Sequence, residues 1–438
     1  MIIFVYTVIC AVFLSERNGA FGGAISSKNS MPITGDDFNI DELVYQGDPI
    51  KFSCITTDSQ HEFYITDVNG SIPSALVERL TNGKDLSLFF HDFMYTVDSS
   101  FDLLYAFAKE WYQASEKNIC IVSYAYSKSS SKPLSMNLIL SKMVATRRLE
   151  YAAKMTRDLL LGVRQNCLNI KWYKRSCLKH LSQVDVTGFG FGAHIASRTC
   201  QYLFEKTSEK VRLLLALDPL RSPPIGARIK NTIKKGIASY VQVIHTSQMF
   251  GIWDKIGDMD IYVKYEPEKN LLAINDEHLV AFFIHLATST KRLFMAAKVS
   301  VNGNGTVLRS NGPTSVQPIN FDYIIGVYGR HDWVCDGDVF GLSLINRNTV
   351  FWGAIGNFSK HEIFLGTQAL EKDKSVSEDS DDCILCFENE KNALLLPCNH
   401  REICHSCWDM WEDMPRDSVY STCPICRQEV DEVKIKSG

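Results

Sequence analysis

Between about Ile50 and Thr367, short apolar runs alternate with longer stretches whose apolar residues recur at helical spacing. Leu86–Phe90, Ile119–Tyr126, Val184–Thr187, Val211–Leu217 and Tyr240–Ile244 read as strands. Met143–Val163 places Val144, Leu149, Ala152, Met155 and Leu159 on one helical face, and Ala193–Phe204 and His278–Leu293 also read as helices. This alternation predicts a mostly parallel sheet with helices on both faces. No internal repeat is visible. At Val184–Ser197 a strand, a sharp turn holding Gly188, Gly190 and Gly192, and a helix follow one another closely.

The two ends break this pattern. Met1–Ser15 is almost wholly apolar and uncharged, and Gly22 and Ala24 are placed for cleavage after Ala24. That is the form of a secretory signal peptide, although a basic start is missing. The run is shorter than the roughly twenty residues needed to span a bilayer. An uncleaved anchor is the alternative, and Arg17 and Lys28 would then hold the remainder in the cytosol. A buried N-terminal strand is the third reading. Sequons at Asn69, Asn304 and Asn357 add slight weight to secretion. Near the other end, Glu371–Asp382 holds six acidic residues and one apolar residue, Val376. Such a segment buries too little surface to fold and reads as an acidic disordered linker. The expected division is a leader over 1–24, an extension over 25–49, the α/β domain over 50–368, the linker over 369–382 and a small module over 383–430.

The chain has 438 residues, 45% of them hydrophobic and 22% charged, with a net charge of −4. Nothing there points to nucleic acid as a partner. Seven of the 14 cysteines crowd between Cys383 and Cys426. With His400 they form C-x2-C, C-x-H, C-x2-C and C-x2-C pairs, the donor set of two closed tetrahedral zinc sites. An odd number of cysteines with a histidine in register argues against disulfides. The other cysteines, Cys54, Cys120, Cys167, Cys177, Cys200 and Cys335, are scattered, and only Cys167 and Cys177 are near enough in sequence to suggest a pair.

The order and spacing from Cys383 to Val430 resemble a RING finger of the cysteine-rich subtype. The resemblance implies two zinc ions in a cross-brace. Cys383, Cys386, Cys404 and Cys407 would hold the first, and Cys398, His400, Cys423 and Cys426 the second. It also implies ubiquitin ligase activity, with a ubiquitin-conjugating enzyme and ubiquitin as partners. Ile384, Trp408 and Pro424 match the apolar docking patch, and Arg427 matches the arginine that contacts ubiquitin and the conjugating enzyme together.

The glycine turn has two readings. As G-x-G-x-x-A it has the outline of a dinucleotide-binding unit, but Phe191 is bulky where a phosphate would approach. The other reading takes in more of the chain. His91-Asp92-Phe93, Gly188–His194, Leu217-Asp218-Pro219, Val243–Thr246, Asp258–Tyr262 and Asp276-Glu277-His278 occur in the order of the animal lipase family's motifs. Ile50–Gln368 therefore resembles that family, which includes pancreatic lipase and the fly yolk proteins. The resemblance implies an α/β-hydrolase fold with a vestigial triad of Gly190, Asp218 and His278, and Phe93 and Phe191 at the oxyanion-hole positions. Glycine at position 190 removes the nucleophile, as in the fly yolk proteins. Asp92 stands where the family has glycine, and its charge would oppose an oxyanion. The 59 residues between Asp218 and His278 hold no cysteine, so the family's disulfide-bounded lid is shortened or absent.

Taken together these readings anticipate a ubiquitin ligase whose inactive lipase-like domain binds a lipid or a protein. The chain would be cytoplasmic, or membrane-associated with a cytosolic C-terminus. A secreted, non-enzymatic lipase-fold protein is the alternative. An esterase using Ser182 or Ser197 is a further one.

Overall fold

The computed structural model describes residues 33–34, 39–57, 62–92, 103–126, 142–169, 177–221, 228–247, 251–265, 273–299, 308–310, 324–329, 340–344, 351, 390–412, 423 and 429–436. The leader, the linker, Phe93, Cys383, Ile384, Cys386, Pro424, Cys426 and Arg427 lie outside them.

The principal strands and helices of the larger unit are β1 (Ile50–Ile55), β2 (Phe63–Val68), α1 (Ser74–Leu80), β3 (Leu86–Phe90), α2 (Leu103–Ser115), β4 (Asn118–Ser123), α3 (Arg148–Asn169), β5 (Val184–Phe189), α4 (Phe191–Thr207), β6 (Leu213–Leu217), β7 (Tyr240–His245), β8 (Met259–Tyr265), α5 (Ala273–Ser289), β9 (Lys298–Val299) and β10 (Phe340–Leu344). One ten-stranded sheet runs in the order β9-β10-β8-β7-β6-β5-β3-β4-β1-β2. The stretch from β4 to β10 is parallel throughout, and β1, β2 and β9 are antiparallel to their neighbours. Every residue of β3, β5, β6 and β7 is buried. Strands covered on both faces favour apolar-rich runs, clearest in β6, which reads Leu-Leu-Leu-Ala-Leu, while β3, β5 and β7 bury polar residues such as Ser87, Asp185 and Gln242 among their apolar ones. Helix α3 packs on α4, and α2 on α5. Phe107 and Phe282 meet edge to face at 5.4 Å across the second of these contacts.

Two helix boundaries differ from the sequence reading, each for a local reason. The segment expected as one helix over Met143–Val163 breaks at Arg147, whose φ is 55°, and α3 runs instead over Arg148–Asn169. The Arg148 guanidinium lies buried against the carbonyls of Asp48, Pro49, Tyr124 and Ala125 and the Tyr45 hydroxyl, which fixes that junction. The helix expected over His278–Leu293 is α5, which starts earlier and stops at Ser289. There Thr288, Ser289 and Thr290 hydroxyls donate to the carbonyls of Ile284, His285 and Leu286, and Lys291 turns left-handed at φ 57°. Such side-chain donors compete with the helical ladder.

Residues before Ile50 join the same core. Ile40 is buried in it, and Asp41 pairs with Arg157 at 2.6 Å and Lys206 at 2.9 Å. Among the described residues two disulfides are present, Cys54–Cys120 across β1 and β4 and Cys167–Cys177. Between Asp218 and His278 the described residues hold β7 and β8 of the main sheet, while 222–227, 248–250 and 266–272 lie outside them. No described helix is long and apolar enough to cross a membrane.

Among the described residues, the C-terminal unit is a three-stranded antiparallel sheet with one helix. It comprises β11 (Ala393–Leu396), β12 (His400–Ile403), α6 (His405–Glu412) and β13 (Glu432–Ile435), with β11 in the middle. The pairing of β13 carries the folded module to Ile435, past residue 430.

Candidate functional site

The turn between β5 and α4 is held open for close approach. A Cβ on Gly188 would strike the backbone of Gly192 and Ala193, and one on Gly192 would strike the carbonyls of Phe90 and His91. Only glycine lets the helix start this near the two strands. At the tip, Gly190 has φ 57° and ψ −118°, a conformation costly for any residue with a side chain. Its N–H donates to the Leu217 carbonyl at 2.9 Å, tying the tip to the end of β6. The turn therefore keeps the backbone of a nucleophile elbow with no side chain on it.

What fills the vacant place is Asp92, just past the end of β3. A Cβ built on Gly190 would lie 2.6 Å from the Asp92 Cγ and Oδ1. The Asp92 carboxylate accepts from the Phe191 N–H at 3.0 Å through Oδ1. Its Oδ2 lies 3.4 Å from His278 Nε2. On the other side of the ring, His278 Nδ1 lies 2.6 Å from Asp218 Oδ2. Asp218 Oδ1 accepts from the N–H groups of Thr246 and Ser247 at 2.9 and 3.0 Å. All three side chains are buried, so the imidazole sits between two desolvated carboxylates.

Burial works to lower the His278 pKa, but the hydrogen bonds to Asp218 and then Asp92, with the charge of both carboxylates, outweigh it and lift the pKa to about 9. The two carboxylates thus favour the imidazolium over the neutral ring at neutral pH. A general base has to be neutral to take a proton, so this histidine is held in the wrong state for activating a hydroxyl. The sequence marked Asp92 as hostile to an oxyanion, but did not show that its carboxylate enters the nucleophile's own space. That followed only from how closely β3 and α4 approach.

Other buried histidines take structural places. His194 Nε2 meets the Leu220 carbonyl at 2.7 Å, and His91 Nδ1 meets the Asp92 carbonyl at 2.7 Å. His245 bridges the Ile252 carbonyl and Asp260 at 2.7 and 2.9 Å. His285 lies among rings, stacked on Phe89 and edge-on to Phe107 and Trp111. Burial lowers the pKa of His91 and His194 to about 4 and that of His285 to about 3. The alternative serines do not serve the elbow. Ser182 is exposed before the opposite end of β5, and the buried Ser197 hydroxyl accepts from Thr232 at 3.0 Å. The dinucleotide reading fails here too. Phe191 is fully buried, and a carboxylate already takes its N–H at the helix start.

These shifts set a stability profile. His278 has its pKa raised above the ordinary 6.5, so its contribution is full below pH 6.5 and is lost as pH rises through about 9. His91, His194 and His285 have theirs lowered, so their contribution is full above pH 6.5 and is lost as pH falls toward about 4 and then 3. Urea unfolding midpoints are expected to peak between these limits and fall on both sides. A midpoint that rises steadily from neutral pH to about pH 9 would contradict the charged His278.

In the C-terminal unit, ligand atoms of Cys398, His400 and Cys423 all lie within 4.8 Å of one another. Tetrahedral zinc with Zn–S bonds of about 2.3 Å needs its donors roughly 4 Å apart, so three residues of the expected second site are in place to bind it. They come from the turn after β11, from β12, and from Cys423 beyond α6. Cys404 is buried before α6, and nothing is described of the Cys407 side chain. Trp408 is 3% exposed, and its N–H donates to the Cys404 carbonyl at 3.1 Å. The lipase family matches residues 102–266, and the family described as zinc finger, C3HC4 type (RING finger), matches 379–433.

The chain joins a lipase-family domain to a C-terminal RING-type zinc finger. The RING segment is 40% identical over 59 residues to E3 ubiquitin-protein ligase NEURL3 of Mus musculus, covering 13% of this chain and 21% of that protein. It is 34% identical over 68 residues to E3 ubiquitin-protein ligase SP1 of Arabidopsis thaliana, covering 15% and 17%. Phospholipase A1 2 of Polistes dominula is 28% identical over 85 residues, covering 19% of this chain and 27% of the wasp protein. The lipase–RING chain thus spans about a fifth to a quarter of the length of these relatives. A hormone-sensitive lipase from a metagenome library aligns over 32% of this chain and 39% of its own, at 12% identity with a TM-score of 0.21. The α/β-hydrolase assignment stands on the sheet order and the elbow rather than on that superposition.

Proposed function

We propose that this protein is a RING-type ubiquitin-protein ligase whose lipase-like domain is hydrolytically silent and serves to bind or recruit a substrate. The observation that carries the ligase reading is the Cys398–His400–Cys423 cluster, set in a segment similar to E3 ligases. In this reading the module holds two zinc ions. Cys426 completes the second site, and Cys383, Cys386, Cys404 and Cys407 form the first. Zinc supplies cross-links rather than reaction chemistry. The chain's own residues position a charged conjugating enzyme so that ubiquitin passes to a lysine amine. Trp408 is packed inside the module, so contact with the enzyme falls to Ile384, Pro424 and Arg427. Silence of the lipase-like domain rests on Gly190 having no nucleophile and on His278 being flanked by two carboxylates. The module works where ubiquitin is, on the cytosolic side of a membrane or free in the cytoplasm.

The full chain with a panel of conjugating enzymes is expected to build ubiquitin chains, and Ile384→Ala or Arg427→Ala to reduce them at least tenfold. Absence of chains across the panel would sink the reading.

One observation favours a second reading. The disulfides Cys54–Cys120 and Cys167–Cys177 suit an oxidising compartment, as does the signal-like start. In that reading the chain is a secreted lipase-fold binding or storage protein. Recovery from the medium with a glycan on Asn304 would favour it, and access of protease to the C-terminus from the cytosolic side of a membrane would exclude it.

A further inference from the structure

A lipase elbow is built to hold an oxygen anion near a backbone N–H and the triad histidine. Here both donors are intact, and both address the same group. The Phe191 N–H donates to Asp92 Oδ1 at 3.0 Å, and His278 Nε2 faces Asp92 Oδ2 at 3.4 Å. The two oxygens of one carboxylate are therefore shared between a helix N-terminus and a buried imidazole ring. Helix α4 runs 17 residues from this point, so its first turn carries a full dipole. His278 is in turn oriented by Asp218, which two backbone N–H groups hold in place. Nothing in this set depends on the carboxylate belonging to the chain.

We infer that the vestigial elbow is a carboxylate-binding cradle, with Asp92 as its tethered ligand and monocarboxylates as the class it accepts when the tether is removed. Three features argue for a binding site rather than a chance ion pair. Both carboxylate oxygens are engaged, from different elements. The group occupies space beside Gly190 that any side chain there would meet. The segment that brings it, His91-Asp92, is held from behind. His91 Nδ1 donates to the Asp92 carbonyl, and the Tyr124 hydroxyl donates to the His91 carbonyl at 2.6 Å. The tether presents Asp92 at high effective concentration, so external carboxylates do not displace it from the unaltered protein. Asp92 is thus a positioning residue. It joins β3, α4 and α5 at the point where the family's enzymes would receive substrate, and the recruiting surface lies elsewhere on the domain.

The inference rests on the lipase-like domain being hydrolytically silent, and its test is independent of ubiquitin transfer. Full-length protein and Asp92→Ala are heated in acetate, octanoate or chloride at equal ionic strength. Asp92→Ala is expected to melt several degrees lower, and acetate at tens of millimolar to recover part of the loss. The unaltered chain and Asp92→Asn, whose cradle stays filled, should respond no differently to acetate than to chloride. Adding His278→Gln to Asp92→Ala should abolish the acetate response. An octanoate response stronger than the acetate one would extend the ligand class to fatty acids, and an equal response would confine recognition to the carboxylate. A folded Asp92→Ala protein that ignores acetate overturns the inference, as does an equal acetate shift in all variants. Where Asp92→Ala does not fold, Asp92→Asn decides by NMR. His278 should titrate well below its value in the unaltered chain, and an unchanged titration overturns the cradle. Labelling of the unaltered protein by a serine-reactive phosphonate would refute silence while leaving the acetate result standing.

Discussion

Gly190→Ser alone is expected to remain unlabelled by a serine-reactive phosphonate, whereas Gly190→Ser combined with Asp92→Gly is labelled. The single change fails for two reasons. Its Cβ would arrive 2.6 Å from the Asp92 carboxylate carbon, so one group has to move. Its hydroxyl would also face a histidine whose pKa is lifted to about 9, which leaves little of the ring as free base at neutral pH. The backbone at φ 57° and ψ −118° adds strain for serine of about 1–3 kcal/mol. Overpacking against Asp92 adds a further 1–3 kcal/mol, roughly, so the single variant should also unfold earlier. Removing Asp92 relieves the clash, releases the Phe191 N–H for an oxyanion and leaves the His278–Asp218 pair in place. Burial, which opposes the charge, then has one carboxylate fewer against it. Losing the serine of such a triad costs on the order of 10⁶ in turnover, so recovery of even about 10² is easy to read. Equal labelling of the single and double variants would show that Asp92 does not block the site. No labelling of a folded double variant would show that more than these two positions separates the elbow from chemistry.

Cys423→Ala, or stripping the metal with a chelator, is expected to abolish ubiquitin chain formation and leave the larger domain's melting unchanged. The C-terminal unit has a small core, with Ala393, Leu395, Ile403 and Trp408 among its buried apolar residues. Structural zinc supplies about 10–16 kcal/mol in such modules, more than a core of that size can replace. Metal analysis should find two zinc ions per chain and fewer in Cys423→Ala, which removes one donor of the second site. Trp408 reports on the same event. Its fluorescence should shift to the red as it meets water, and the shift should vanish in Trp408→Phe. Chain formation that persists after complete chelation would remove the ligase from the zinc module.

Much of this was legible in the sequence, for identifiable reasons. The central strands are covered on both faces, so β6 appears as an uninterrupted apolar run, while β3, β5 and β7 remain apolar-rich around Ser87, Asp185, Thr187 and Gln242. The elbow was legible because close approach restricts Gly188 and Gly192 to glycine. The edge hairpin β1–β2 was not, because β1 alternates over only six residues and β2 buries only Val68. Helix ends were misplaced where tertiary or side-chain hydrogen bonds decide them, at Arg148 and at Thr288–Thr290. The zinc pairs could be read because ligand spacing is local. The Asp92–His278 contact joins residues 186 positions apart and has no local signature. The same is true of Cys54 and Cys120, which the sequence left unpaired and the sheet register sets side by side.

That last pair bears on the history of each molecule. Both sulfurs lie in fully buried residues, on β1, one strand in from the β2 edge of the sheet, and on its neighbour β4. Thiol exchange needs a thiolate to reach one of those sulfurs, so reduction has to wait for β1 to part from β4. A chain that forms this bond where it first folds would keep it after moving into a reducing compartment, for as long as the sheet stays closed. The bond is then a memory of where folding took place, readable by alkylating the protein before and after denaturation.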